Sequence, residues 1–265
     1  MPSNEFEGSA FGLREGCLYE TIATTHFIDP ETKNARPNAA CMGIRLKDVE
    51  QLELNPYPNT TTFKNVKQNG KVIINFVDDV SLYALAALKE NKLEFRLKEF
   101  PSKYYEYEKT ESSEGEIPHI GSAWGYLECK AVQERPEIKE SNLGKVEVTT
   151  FSLEIINSRI LRDSRNLVNR ADNVALETII LATRIKVAWE NRDVHALIRF
   201  IQRLEQQVKD VERFARNPRA LKAIQVMKDY ITDLGLIDDS NISAHTIWAN
   251  LVFDADDVVG PIGVY

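Results

Sequence analysis

Cysteine is scarce and poorly placed for cross-linking. The chain has three, Cys17, Cys41 and Cys129, an odd number without a CxxC pair. Together with four scattered histidines they make neither a disulfide framework nor the ligand spacing of a zinc site. No apolar stretch approaches the roughly 18 residues of a membrane span. The first residues, MPSNEFEGSAFGLREG, show no basic region followed by an apolar run, so no secretory signal is expected. GxGxxG, a Walker-type loop and GxSxG are all missing, which argues against Rossmann, nucleoside-triphosphatase and hydrolase chemistry. Positive charge is also in deficit. Lys and Arg number 33 against 40 Asp and Glu, a formal net charge of −7, which argues against broad phosphate neutralisation on nucleic acid. One anionic cofactor, needing only local donors, remains compatible. What is present is ordinary: 265 residues, 43 % hydrophobic and 28 % charged, enough to bury a core unaided. A soluble protein of the reducing cytoplasm is expected, with no nucleic-acid or membrane partner.

The pattern changes near residue 160. Before it, β-favouring runs are separated by turn signals: Leu18–Phe27, then Ala39–Leu46 after the polar turn Ile28–Pro37, and Val49–Leu54. Thr60–Gln68 predicts a short helix closed by Asn69-Gly70. Lys71–Val77 predicts a buried strand, and Asp78-Asp79 the cap of an Ala/Leu-rich helix reaching Leu88. Trp124–Val132 and Lys145–Ile156 read as further strands, while Tyr104–Ile117 and Glu134–Leu143 read as polar loops. Many short strands with two brief helices predict a small barrel over 1–160, not a doubly wound sheet.

From Ile160 onward the period is helical. Ala171–Trp189 is apolar on most faces. Val194, Leu197, Ile201, Leu204, Val208, Val211 and Ala215 then form a seam at three- and four-residue steps, the inner face of a bundle or a dimerisation surface. Asn217-Pro218 predicts another helix start, running to Leu234-Gly235, with a shorter helix over His245–Val252. An α+β architecture follows: a barrel, then an antiparallel helical domain over 161–265 packed on it.

The most informative chemistry lies in Asn38-Ala39-Ala40-Cys41-Met42-Gly43, followed about twenty residues later by Thr60-Thr61-Thr62-Phe63-Lys64-Asn65. Small residues on a strand let a flat ligand approach backbone amides and carbonyls. A hydroxyl-rich helix start adds N–H donors and a partial positive end suited to phosphate, with Lys64 as a point charge. A flat slot beside a phosphate clamp is what a mononucleotide such as FMN requires. The plainer alternative is a small-residue strand packed under a capped helix. Cys41 has no adjacent histidine or basic residue to activate its thiol, so a packing role is expected. Arg170, Glu177 and Arg184 recur every seven residues on one helix face and either reach an anionic ligand or form ion pairs fastening helix to barrel.

These stretches carry a resemblance. ETIATT, PNAACMG and TTTFKNVKQNGKVIINFVDD, in that order, resemble the flavin-reductase-like split-barrel flavoproteins. More narrowly they resemble a largely archaeal domain of unknown function, number 447, and NRADNVALETIILATR is similar to that family's helical part. The resemblance implies a flavin-reductase-like split β-barrel that binds FMN, usually at a homodimer interface. It places Asn38, Ala39, Ala40, Cys41 and Met42 along the flavin and Thr60, Thr61, Thr62 and Lys64 at the phosphate. Asn75 is implied either to approach the ring or to hold the neighbouring strand. Relatives commonly have proline where Cys41 stands, so this chain keeps the small size but loses the fixed φ. The implied activity is hydride or electron transfer between a reduced nicotinamide or deazaflavin donor and an acceptor, the cofactor carrying the chemistry and no catalytic side chain being assigned. The alternatives are an FMN carrier or sensor without turnover, and a helical interaction module.

Overall fold

In the computed structural model, strand pairing is governed by which edges of each strand find a partner. The structure describes residues 8–29, 31–32, 35–48, 50–109, 116–141, 144–164, 169–215 and 218–236. They fall into two units, one of residues up to 86 with 99–167, the other of 87–98 with those from 168 onward.

The first unit is a closed antiparallel barrel. Strands β1 (Leu18–Ile28), β2 (Ala35–Leu46), β3 (Gln51–Leu54), β4 (Lys71–Phe76), β7 (Gly125–Ser141) and β8 (Gly144–Ile160) follow the order β1-β2-β3-β8-β7-β4, and β4 closes onto β1. Two strands predicted as one hairpin pair along their whole length, from Leu18 opposite Arg45 to Ile28 opposite Ala35. Alternation then sorts the side chains. Ala23, Ile44, Leu46, Leu52, Leu54, Val72, Ile74, Leu127 and Leu153 meet in the interior, each buried. A fully buried aliphatic side chain contributes about 1.5–3 kcal/mol, so this interior dominates the unit's stability. At one point of the core, Phe11 from the segment before β1 stacks near Phe76 and Trp124, with ring centroids 5.2 and 5.8 Å away.

Two segments read as polar loops are strands. Tyr105–Lys109 (β5) pairs with Glu116–Ile120 (β6), and Glu134–Leu143 is largely taken up by β7, whose 17 residues pair with β8 as far as Ser141 opposite Gly144. The reason is physical. Gln133 to Pro136 and Ile138 are exposed, so this extension is held by backbone bonds without a buried face, and no apolar alternation marks it. Register shifts at Glu128/Cys129 and Ala131/Gln133 mark its base.

Two helices complete this unit. Helix α1 (Thr61–Asn69) ends on Gly70 at φ 68°, a left-handed cap that suits glycine. Helix α2 (Val80–Ala87) begins where the Asp79 carboxylate accepts from the Ser81 amide at 2.9 Å; Asp78 instead pairs with Arg162 at 2.8 Å.

In the second unit, α3 (Arg170–Glu190), α4 (Val194–Phe214) and α5 (Pro218–Asp233) pack through the seam: Leu197, Ile201, Leu204, Val208, Val211 and Ala215 are buried, whereas Val194 is exposed. The stretch 87–98 belongs with these helices although it comes from the first half of the chain. Arg96 pairs with Asp229 at 2.9 Å, Phe95 meets Tyr230, and Glu90 pairs with Lys186. Arg170 lies 4.2 Å over the Phe214 ring and Glu177 is 3.6 Å from Arg203, so both have partners on α4 within the bundle. The predicted cap Asn217 and the helix over His245–Val252 lie outside the described residues. Among the described residues no helix is long and apolar enough to cross a membrane.

Asn75 carries the closure of β4 onto β1. Its Nδ2 donates to the Ile22 carbonyl at 2.8 Å, the Thr24 hydroxyl at 3.1 Å and the Ile73 carbonyl at 3.3 Å, while its Oδ1 accepts from the Ile120 amide at 2.8 Å. Replacing it with leucine strands buried backbone groups on three strands. We expect Asn75→Leu to cost about 3 kcal/mol, read as a lowered urea midpoint.

Candidate functional site

The site begins with an uncovered edge. β2 is paired with β1 along its length, but with β3 only over Ile44–Leu46. From Asn38 to Gly43 its other edge borders no paired strand among the described residues, and alternate backbone N–H and C=O groups face that way. Ala39 is buried, and Asn38, Ala40, Cys41 and Met42 are half-buried.

Helix α1 starts against this strand. Asn38 Nδ2 donates to Thr62 Oγ1 at 3.3 Å, and Asn65 Nδ2 donates to Thr25 Oγ1 at 3.0 Å, Thr25 being the register partner of Asn38. Thr62 and Asn65 are 1 % and 2 % exposed, so both bonds are sheltered from water. Phe63 packs its ring 5.7 Å from Phe151 and fixes the same turn to the barrel. The three threonines then divide. Thr60 is the N-cap, accepting from the Phe63 amide at 3.3 Å and donating to the Tyr57 carbonyl at 2.7 Å. Thr62 points inward, and Thr61 alone presents its side chain to solvent. The first intrahelical bond runs from the Lys64 amide to the Thr60 carbonyl at 3.2 Å, so the amides of Thr61 and Thr62 precede it. Those amides, the Thr61 hydroxyl and the exposed Lys64 form a donor set that fits a phosphate dianion.

The structure therefore brings Asn38 and Thr62 into contact and puts Ala39, Ala40, Cys41 and Met42 on the strand beside them. Asn75 is fully buried and its amide bonds to Ile22, Thr24, Ile73 and Ile120, which is the strand-holding alternative. The Cys41 thiol donates to the Tyr83 carbonyl at 3.1 Å, tying β2 to α2. Tyr83 in turn donates its hydroxyl to the Glu20 carbonyl at 3.0 Å, and burial pushes its pKa up. Cys129 is enclosed in the core, where burial and the neighbouring Glu128 likewise raise its thiol pKa. No group of His, Cys, Asp and Glu side chains among the described residues forms a metal site.

Sequence reasoning missed the β5–β6 hairpin, which reaches this region. Thr24 Oγ1 donates to the Pro118 carbonyl at 2.6 Å and Ile120 is bonded to Asn75, so β6 crosses β1 and β4. Tyr105 lies opposite Ile120 on this hairpin, and burial raises the pKa of its hydroxyl. The aromatic–acidic alternation of YYEYE is the signal that marked a strand there.

Residues 19–162, more than half of the chain, match the model described as protein of unknown function (DUF447), N-terminal domain. The chain belongs to the DUF447 family. An FMN-bound DUF447 protein of Methanosarcina mazei is 20 % identical, with a TM-score of 0.61 over 86 % of this chain and 100 % of that one. That likeness is one of fold, the closed antiparallel barrel with its helices. Flavoredoxin from Methanosarcina acetivorans is 17 % identical with a TM-score of 0.39, over 63 % of this chain and 76 % of that one. The styrene monooxygenase flavin reductase of Pseudomonas putida S12 is 10 % identical with a TM-score of 0.38, over 54 % and 82 %. No curated protein matches this DUF447 chain.

Two imidazoles near the hairpin titrate. Burial lowers the pKa of His119 below the usual 6.5, against the pull of Glu106, and burial together with Lys71 lowers that of His26. The unfolded chain therefore takes up protons around pH 6.5 that the folded barrel refuses, so stability is full above that value and falls as pH drops toward the folded pKa. Urea midpoints taken at about pH 7.5 and about pH 5.5 should fall for the wild type, and fall less for His119→Gln.

Proposed function

We propose that this DUF447 protein binds FMN on the open edge of β2, with the phosphate at the start of α1, and serves flavin-dependent hydride or electron transfer. The observation that carries the reading is the Asn38–Thr62 bond, which holds a helix N-terminus beside a strand edge that β3 leaves uncovered. A phosphate-binding tip and a row of main-chain donors and acceptors thus lie next to each other, as a mononucleotide with a flat ring requires. The FMN-bound state of the Methanosarcina mazei relative, which shares this fold, supports the same reading.

Each residue has a task in it. The amides of Thr61 and Thr62, with the Thr61 hydroxyl, grip the phosphate, and Lys64 adds charge. Asn38 and Asn65 keep that turn in place. Ala39 and Ala40 supply backbone without bulk, and Cys41 holds the strand to α2. When bound, flavin would supply the redox chemistry, hydride or electron transfer with a reduced nicotinamide or deazaflavin as donor. The protein's part is positioning and electrostatics, which is why no side chain is assigned as acid or base. A homodimer with the flavin near its interface belongs to the same proposal, as does a cytoplasmic location, in keeping with three free cysteines.

Thr61→Glu separates phosphate binding from folding. A carboxylate in the first turn suits the helix dipole, so the melting temperature should hold or rise, while like-charge repulsion weakens FMN at least about tenfold and leaves riboflavin unchanged. Equal FMN affinity in the variant and the wild type would remove the phosphate from this tip. Redox function is tested on FMN-loaded protein under anaerobic conditions. Bleaching near 450 nm (roughly the oxidised flavin band) by NADH, NADPH or a reduced deazaflavin supports transfer, and persistent colour with all three identifies a carrier without turnover.

A further inference from the structure

His119 on β6 is a buried imidazole with poor provision for a charge. The residue is 4 % exposed, and among the described residues its Nδ1 has no hydrogen-bond partner. Its Nε2 lies 3.8 Å from Glu106 Oε2, a carboxylate on the opposite strand of the hairpin whose side chain is 68 % exposed. The ring packs against Tyr126 of β7, centroid to centroid 5.0 Å. Beyond it the Tyr126 hydroxyl donates to Glu108 at 2.8 Å, and Glu108 pairs with Arg159 of β8, so that carboxylate is engaged elsewhere. From the barrel side, His26 of β1, Lys71 of β4 and Glu128 of β7 line a small cavity with Pro118, the residue before His119. Two of these three are basic groups, which discourage another positive charge.

The hairpin is joined to the barrel at the same place. β5 and β6 form a two-stranded sheet of their own, outside the barrel ladder. Thr24 Oγ1 of β1 donates to the Pro118 carbonyl at 2.6 Å, and the Ile120 amide donates to Asn75 Oδ1 of β4 at 2.8 Å. These two bonds flank His119 directly. We propose that the β5–β6 hairpin is a pH-sensitive clasp: a proton on His119 favours its release from β1 and β4 while the barrel stays closed. A docked imidazolium would sit away from water, and an ion pair with a mostly exposed glutamate returns little of that loss. Released, the ring reaches water and keeps its proton at no such cost. Burial accordingly lowers the pKa of docked His119 from the ordinary 6.5, against the pull of Glu106. The sign follows: docking is strongest above that ordinary value and weakens as pH falls toward the docked one. The residue after Thr24, Thr25, holds Asn65 of α1, so the clasp adjoins an anchor of the candidate site.

Amide hydrogen exchange on the full chain, corrected for the intrinsic effect of pH on exchange, tests this. Ile120 reports the hairpin, and Leu127, in the β4–β7 ladder, reports the barrel. Ile120 should be less protected than Leu127 throughout, because it exchanges through a local opening. Its protection should fall about tenfold from about pH 7.5 to about pH 5.5, the effect of one proton taken up only by the released hairpin. His119→Gln, polar but uncharged, should abolish that fall, whereas His26→Gln should leave it intact. Equal protection of Ile120 and Leu127 would overturn the proposal, since the hairpin would then leave only with global unfolding. A rise in Ile120 protection at the lower pH would overturn it too, by making the Glu106 pair a lock on the docked hairpin. If His119→Gln does not fold, the wild-type ring signal in a nuclear magnetic resonance titration decides. A His119 that gains its proton near its ordinary pKa while Ile120 stays protected sinks the clasp, and one that stays neutral while docked upholds it.

Discussion

The rest of the structure depends on unequal pairing along β2. A strand of 12 residues is covered on one side by β1 throughout and on the other by a β3 of only four residues. Where β3 reaches, Ile44 and Leu46 go into the core and the barrel closes. Where it stops, no strand among the described residues pairs with this edge of β2, and proteins manage such edges by covering them. In this chain α1 abuts one end of that stretch through Asn38, and the β5–β6 hairpin meets the neighbouring β1 through the Thr24–Pro118 bond.

The devices that hold these neighbours are buried amides more than charges. Asn38, Asn65 and Asn75 each bond across sequence gaps of 24 to 53 residues, and Asn65 and Asn75 are almost wholly inaccessible. Asparagine serves because it donates and accepts without a charge to desolvate, so it stitches strands in a low-dielectric interior at less cost than an ion pair. The ion pairs of the molecule, such as Lys67–Glu134 and Arg96–Asp229, lie mostly at the surface, where each is worth little.

Much of the candidate site was legible before the fold was known. The run Asn38–Met42 and the cluster Thr60–Thr62 stand out because small residues and hydroxyls are unusual in a strand and at a helix start, and both do lie side by side. The individual tasks were not legible. Whether a threonine caps, turns inward or faces out depends on its helical azimuth, and only Thr61 faces out. Asn75, plausible as a ring contact, is consumed by Ile22, Thr24, Ile73 and Ile120. Tyr105 went unnoticed because its strand has acidic neighbours and resembles a loop.

By itself the sequence determined the barrel-then-helices order, the β1–β2 hairpin, the short α1 with its Thr60 and Gly70 ends, and the α4 seam. These follow from local preference and from periodicity, which act within a window of a few residues. Tertiary structure alone decided which strand edges stay open, that 87–98 joins the helices, that β7 and β8 extend past the barrel, and that Thr24 meets Pro118 from 94 positions away. Edge pairing and burial are properties of residues brought together from distant parts of the chain, and no local pattern carries them.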